Sequence, residues 1–434
     1  MTAATVTLFG TEIGSVAWND ERQLGLFEYA PAFLRSGIEV APIQMPLAEG
    51  LYQFPALPRD TFKGLPGLLA DCLPDKFGNL LIDQWLTREG RTAASFNPVE
   101  RLCYLGSRSM GALEFLPAHH AEKPDRALEI DALIHLANAV LADRTKLQTT
   151  LVSEHEDEAL ADILRVGTSA GGARAKAVVA WNPKTGEIRS GQVPLPPDFE
   201  PWLIKFDGVD GNADKELADP LGYGRIEYAY HLMARAAGIT MSRCRLLEEN
   251  GRAHFMTRRF DRTPEGDKLH QQTLCALGHY DFNTAGGYSY EQAFQLARGL
   301  GLPQPDLTEL YRRAVFNILS RNQDDHTKNI SFLMDRRGTW HLAPAYDVTY
   351  SYNPDGAWTS RHQMTLNGKR DHFSTADLLT AATSADLKPR QAKTIITTLH
   401  QTLKKWPTFA QEAKVPRKVI PKIARNFRNL PATN

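Results

Sequence analysis

Two neighbouring stretches decide the fold: RNQDDHTKN, Arg321 to Asn329, and HLAPAYDVTYS, His341 to Ser351. Asp324 and Asn329 stand five positions apart, the D-x-x-x-x-N spacing of the protein-kinase catalytic loop, in which the aspartate accepts a hydroxyl proton and the asparagine binds magnesium. Asp347 then supplies a second oxygen ligand. Phosphoryl transfer requires such a set, because magnesium takes hard oxygen donors and the charge on the moving phosphate has to be neutralised in place. Asp325 competes with Asp324 for the base role but lies only four positions from Asn329, so spacing favours Asp324. His326 has no second histidine at i+3 or i+4, which disfavours a metal site and leaves a backbone-bonding or phosphate-facing ring.

The residues upstream supply the rest of a nucleotide site in the same chain order. GTSAGGARAK, Gly167 to Lys176, is a glycine-rich loop running straight into the strand AVVAWN. Its segment Ser169, Ala170, Gly171, Gly172 and Ala173 lets backbone amides approach phosphates, and Lys176 closes it with a cation. GQVPLPPDFEP, Gly191 to Pro201, is too rich in proline for an interior strand, so WLIKF, Trp202 to Phe206, opens a new strand carrying Lys205. A helix from Arg225 to Ala237, stopped by Gly238, carries Glu227, placed to hold Lys205 against the phosphates. Asn250-Gly251 between two β-like runs signals a hairpin. Beyond Phe260 the pattern is mostly helical.

The first part of the chain is β-rich. Val6 and Leu8 alternate, Ile13, Val16 and Trp18 follow before a turn at Asn19-Asp20, and the unit closes near GALEFLPA, Gly111 to Ala118. HHAEKPDR, His119 to Arg126, reads as a polar linker that includes the His119-His120 pair. The expected organisation is an N-terminal subdomain at 1–118, an ATP-binding lobe at 119–260 and a helical lobe at 261–434. Together these make an α+β, protein kinase-like two-lobed fold.

Composition excludes other classes. The chain has 434 residues, 42% of them hydrophobic, with 50 Lys plus Arg against 50 Asp plus Glu, so no global field draws it to nucleic acid or membrane. No segment reaches about 18 consecutive apolar residues and Met1 to Leu8 lacks a signal-peptide pattern, which points to a cytoplasmic protein with no membrane partner. Cys72, Cys103, Cys244 and Cys275 show no CxxC spacing and read as reduced, buried thiols.

At this point the sequence resembles a known family. Ser169 to Lys176, RRFDR (Arg258 to Arg262) with LHQ (Leu269 to Gln271), D-x-H-x-K-N-x-S-F (Asp324 to Phe332) and PAYD (Pro344 to Asp347) look like the HipA toxins, serine/threonine kinases of bacterial type II toxin-antitoxin modules. LPGLLADCLPDKFG, Leu65 to Gly78, and GALEF, Gly111 to Phe115, are similar to that family's N-terminal subdomain. The resemblance implies ATP and Mg2+ as cofactors, Asp324 as catalytic base, Asn329 and Asp347 as magnesium ligands, and Lys205 as the ATP lysine. It places His326 and Lys328 within the catalytic-loop motif and Arg258 and Phe260 where the hinge meets adenine. Ser169 matches the loop serine whose autophosphorylation switches such kinases off. The implied partners are a HipB-like DNA-binding antitoxin, operator DNA mainly through that antitoxin, and a protein substrate of the aminoacyl-tRNA synthetase class. Glu227 rests on chain order alone.

Two other readings compete. D-x-H-x-x-N is also the phosphoinositide-kinase pattern, which would make the chain a lipid or small-molecule kinase, and a catalytically weak partner of the antitoxin is the non-enzymatic alternative. The basic C-terminal run, Lys404, Lys405, Lys414, Arg417, Lys418, Lys422, Arg425 and Arg428, reads as a solvated helical face rather than a DNA contact.

Overall fold

β1 (Ala3–Leu8) and β2 (Thr11–Asn19) are joined by the two-residue loop Phe9-Gly10, whose φ values of 53° and 80° suit a tight hairpin. The structure, a computed structural model, describes residues 2–118, 128–142, 167, 174–191, 195, 197–209, 222–263 and 265–430. With β3 (Leu24–Tyr29), β4 (Leu51–Tyr52) and β5 (Leu113–Leu116) the first strands form an antiparallel sheet in the order β4-β3-β2-β1-β5. Period-two alternation sends Val6, Val16, Trp18 and Phe27 into its core, and a register shift between Val6 and Thr7 brings Ile13 in with them.

A second antiparallel sheet contains β6 (Lys176–Trp181), β7 (Ile188–Ser190), β8 (Glu200–Lys205), β9 (Cys244–Glu249) and β10 (Arg252–Arg258), in the order β7-β6-β8-β10-β9. Asn250 and Gly251, with φ values of 46° and 77°, make the expected hairpin between β9 and β10. Ala177, Val179, Trp202, Ile204 and Met256 pack with Phe77 and Leu81 of the helix Lys76–Arg88 and Ile134 of the helix Ile130–Ala142. The alternate positions carry Lys176, Lys205 and Phe255, paired across β6, β8 and β10. The helix Tyr223–Ala236 packs on β9 and β10. It can lie that close because residue 224 is glycine: a Cβ there would stand 2.3 Å from the Ala253 carbonyl oxygen. β8 begins two residues earlier than the sequence suggests and includes Pro201, whose carbonyl accepts from the Arg259 N–H at 3.0 Å.

The C-terminal half packs the helices Tyr290–Gly299, Gln304–Ser320, Thr375–Ser384 and Pro389–Leu403 around Leu310, Phe316, Leu378 and Leu399. It is not helical throughout. β11 (His270–Thr273), β12 (Ser331–Met334) and β13 (Trp340–Leu342) form a small antiparallel sheet in that order, and strands of three or four residues are too short to display a period. Arg428 also departs from the solvated reading: it is buried, donating to the Ile318 carbonyl and to Asp371. All four cysteines are buried free thiols. Among the described residues no helix is long and apolar enough to cross a membrane. The β-rich first unit, the helix-backed sheet and the helical half make up a kinase-like fold.

Candidate active site

Lys205 ends β8 in the cleft between the second sheet and the helical half. Its ammonium lies 2.6 Å from Glu227 Oε1 and also pairs with Asp347 Oδ1. Burial alone would lower the pKa of this lysine, but Asp347 and Glu227 outweigh it and hold the ammonium above its ordinary value. Burial likewise works against the charge on Asp347, yet Lys205 and then Lys176 keep its carboxyl well below the usual range. Arg174 stacks on the Tyr223 ring with its guanidinium carbon 3.6 Å from the centroid, and it pairs with Glu227 Oε2 at 3.6 Å. Asp347 adopts φ 52°, a left-handed conformation that costs about 1 kcal/mol and that aspartate tolerates better than most residues.

The catalytic-loop candidates follow the buried end of the helix Gln304–Ser320. Asp324 and Asp325 are sorted into different environments. Asp325 is buried, accepting from Tyr290 OH, His362 Nδ1 and the Gln363 N–H, each at 2.8 Å. His362 Nε2 in turn faces Arg428 at 2.9 Å, which makes Nδ1 the protonated nitrogen. Asp324 keeps 29% of its side chain exposed, and Trp358 Nε1 donates to its Oδ1 at 2.7 Å. Asn329 Nδ2 donates to the Asp324 carbonyl at 2.8 Å, which fixes the amide plane and turns its oxygen away from that bond. His326 Nε2 stands 3.9 Å from Asp324 Oδ1, and its ring packs against Phe282. Lys328 extends its ammonium over Phe282 and offers its carbonyl to Tyr346 OH at 2.6 Å.

The stretch from Arg258 to Arg262 leads out of β10. Arg258 donates its N–H to the Arg243 carbonyl at 2.9 Å, and the Phe260 ring packs 5.5 Å from Tyr346, the neighbour of Asp347. Asp261, which spacing alone did not single out, is one of the points that fasten the first 118 residues to the rest. It accepts from the Gly111 N–H at 2.8 Å, from Arg259 Nε and NH2 at 2.9 and 2.6 Å, and from Arg262 NH1 at 2.8 Å. Burial would raise this carboxyl, but the two guanidinium groups hold it well below the usual range. Trp358 and Asp75 were missed as well. Trp358 lies outside every quoted motif, whereas Asp75 lies within LPDKFG and its signal was on view. Lys176 is 2% exposed and pairs with Asp75 Oδ2 at 3.3 Å. Ser169, Ala170, Gly171, Gly172 and Ala173 lie outside the described residues, as do His119 and His120.

Lys205, Glu227, Asp347, Asp324 and Asn329 thus converge from four segments on one cleft, with Lys176, His326 and Phe260 at its margins. The donor set suits magnesium: Asp347 and Asn329 offer a carboxylate and an amide oxygen, and magnesium takes its remaining ligands from water and phosphate. Among the described residues no cluster of three histidine, cysteine or acidic side chains forms a site for a more demanding ion.

A helix-backed five-stranded sheet, a lysine–glutamate pair and a helical half define the kinase-like class. The chain matches the HipA N-terminal domain over residues 4–116 and the HipA-like C-terminal domain over residues 168–406, and it belongs to the HipA family. HipA of Shewanella oneidensis MR-1, solved with HipB and its operator DNA, superposes with a TM-score of 0.68 at 18% identity, covering 97% of this chain and 94% of that one. Two curated proteins of Sinorhizobium fredii (strain NBRC 101917 / NGR234) with kinase names are similar over shorter stretches. Y4mE is 28% identical over 210 residues, 46% of this chain and 42% of its own length. Y4dM is 27% identical over 216 residues, 46% of this chain and 51% of its own length. The chain spans about half the length of these curated relatives.

Proposed function

We propose that the chain is a Mg-ATP-dependent kinase that phosphorylates a serine or threonine of a protein. The observation that carries this reading is Lys205 held between Glu227 and Asp347 beside an Asp324 that retains solvent access. Lys205 draws the nucleotide phosphates to the end of β8, and Glu227 keeps it there. Asp324, oriented by the Trp358 indole, accepts the proton of the attacking hydroxyl as the new O–P bond forms and the bond to ADP breaks. When bound, magnesium held by Asp347 and Asn329 neutralises phosphate charge. Phe260 and the backbone after β10 line the adenine end.

The substrate class is the aminoacyl-tRNA synthetases, whose modification inhibits translation and growth; this rests on the family alone. A HipB-like antitoxin that carries the chain to operator DNA is supported by the Shewanella oneidensis complex. Ser169 is the autophosphorylation site: about −1.5 to −2 charges beside the nucleotide phosphates would repel the loop and lower affinity. Phosphoproteomics of cells expressing the wild type or Asp324→Asn tests substrate and switch together. Synthetase and Ser169 phosphopeptides are expected with the wild type alone, and their presence with both proteins, or with neither, contradicts the reading.

A further inference from the structure

Lys176 and Lys205 are direct cross-strand partners of β6 and β8, so their side chains leave the sheet on the same side. Lys205 pairs with Asp347 Oδ1, and the register sets Lys176 beside Lys205 on that side of the sheet. Glu227 and Asp347 share Lys205, so Lys176 would be a second cation on Asp347 were it not engaged elsewhere. Asp75 heads the helix Lys76–Arg88, accepts the Gly78 N–H on Oδ1 at 2.7 Å and presents Oδ2 to Lys176 at 3.3 Å. Lys176 and Asp75 side chains are 2% and 4% exposed, so the pair has little water to screen it. Asp75 comes from the first 118 residues, a segment fastened elsewhere through Asp261 to Gly111 and through Asp71 to Thr273.

We propose that Asp75 is a positioning residue of the nucleotide site: by engaging Lys176 it keeps that ammonium off Asp347 and leaves the carboxylate available to a divalent cation. The N-terminal subdomain thereby contributes a residue to metal binding in the cleft. The inference rests on the kinase reading of the cleft and adds a residue to it.

Asp75→Asn is the suitable variant, because asparagine caps a helix as well as aspartate and removes only the charge. Binding of a fluorescent ATP analogue is titrated with Mg2+ for the wild type, Asp75→Asn, and Asp75→Asn combined with Lys176→Met, with thermal melting in parallel. The Mg2+ concentration for half-maximal binding is expected to rise about tenfold in Asp75→Asn, the effect of one unscreened neighbouring charge. Removing the ammonium in the double variant should bring it back towards the wild-type value. An unchanged requirement in Asp75→Asn overturns the proposal, as does a double variant no better than the single one. Should Asp75→Asn fail to fold, Asp75→Ser, which keeps a capping oxygen and removes the charge, takes its place: a raised Mg2+ requirement is expected and an unchanged one overturns the proposal. A wild type that binds no Mg-nucleotide removes the kinase reading and this proposal together, whereas a binding wild type with an indifferent Asp75→Asn removes the proposal alone.

Discussion

Asp324 and Asp325 share a peptide bond and face opposite surroundings: Asp325 closes a buried knot with Tyr290, His362 and Gln363, and Asp324 accepts from Trp358 at the cleft. The difference separates chemistry from stability. Asp324→Asn is expected to lower transfer by about 100-fold or more with the melting temperature nearly unchanged. Asp325→Asn is expected to cost about 2–4 kcal/mol of stability while the folded fraction keeps substantial activity, because it disrupts a buried charged network. Denaturant titration alongside ATP turnover checks both, and equal loss of turnover in two folded variants contradicts the assignment.

Trp358→Phe removes the indole N–H that fixes Asp324 Oδ1 and keeps most of the ring volume. Its kcat should fall about tenfold with KM for ATP unchanged, as befits a group that orients a base without touching the nucleotide. A matching rise in KM would place Trp358 in nucleotide binding instead.

Lys205→Met is expected to lose both nucleotide affinity and rate, since it removes the cation that Glu227 and Asp347 hold at the end of β8. Isothermal titration with Mg-ATP is the check. Near wild-type binding would transfer the role to another cation, of which Lys176 is the nearest by register.

Acid should weaken the fold. Burial pushes His231, His254, His270 and His279 down to about 4 from an ordinary value of 6.5. Above 6.5 these rings are neutral in both folded and unfolded chains; as pH falls from 6.5 towards 4 only the unfolded chain takes up protons, so stability falls through that window. Each ring should cost about 1–2 kcal/mol near pH 5. Asp71, Asp75 and Glu249, raised by burial, work in the opposite sense and offset part of this loss. Urea unfolding at pH 7 and at about pH 5 should show lower stability at the acid value; equal or higher stability there contradicts the burial of these rings.

Much of the fold was legible because it rests on local signals. The Asn250-Gly251 hairpin, the alternation in β1 and β2, and the five-residue spacing from Asp324 to Asn329 each lie within a few residues of chain. What escaped depends on partners far apart in sequence. Asp261 meets Gly111 across 150 positions, and Asp71 meets Thr273 across 202. Trp358 reaches Asp324 only because the segment after Asp347 folds back over the catalytic loop. β11 to β13 are too short to show a period, and Arg428, one basic residue among eight, is drawn inward by Asp371 and the Ile318 carbonyl.

Transfer of label from γ-labelled ATP to protein, compared for the wild type with Mg2+, the wild type with chelator and Asp324→Asn with Mg2+, tests the kinase reading most directly. Label should appear on serine or threonine in the first sample and be nearly absent from the other two. Equal labelling in all three, or none in a wild-type chain that binds Mg-ATP, would contradict it.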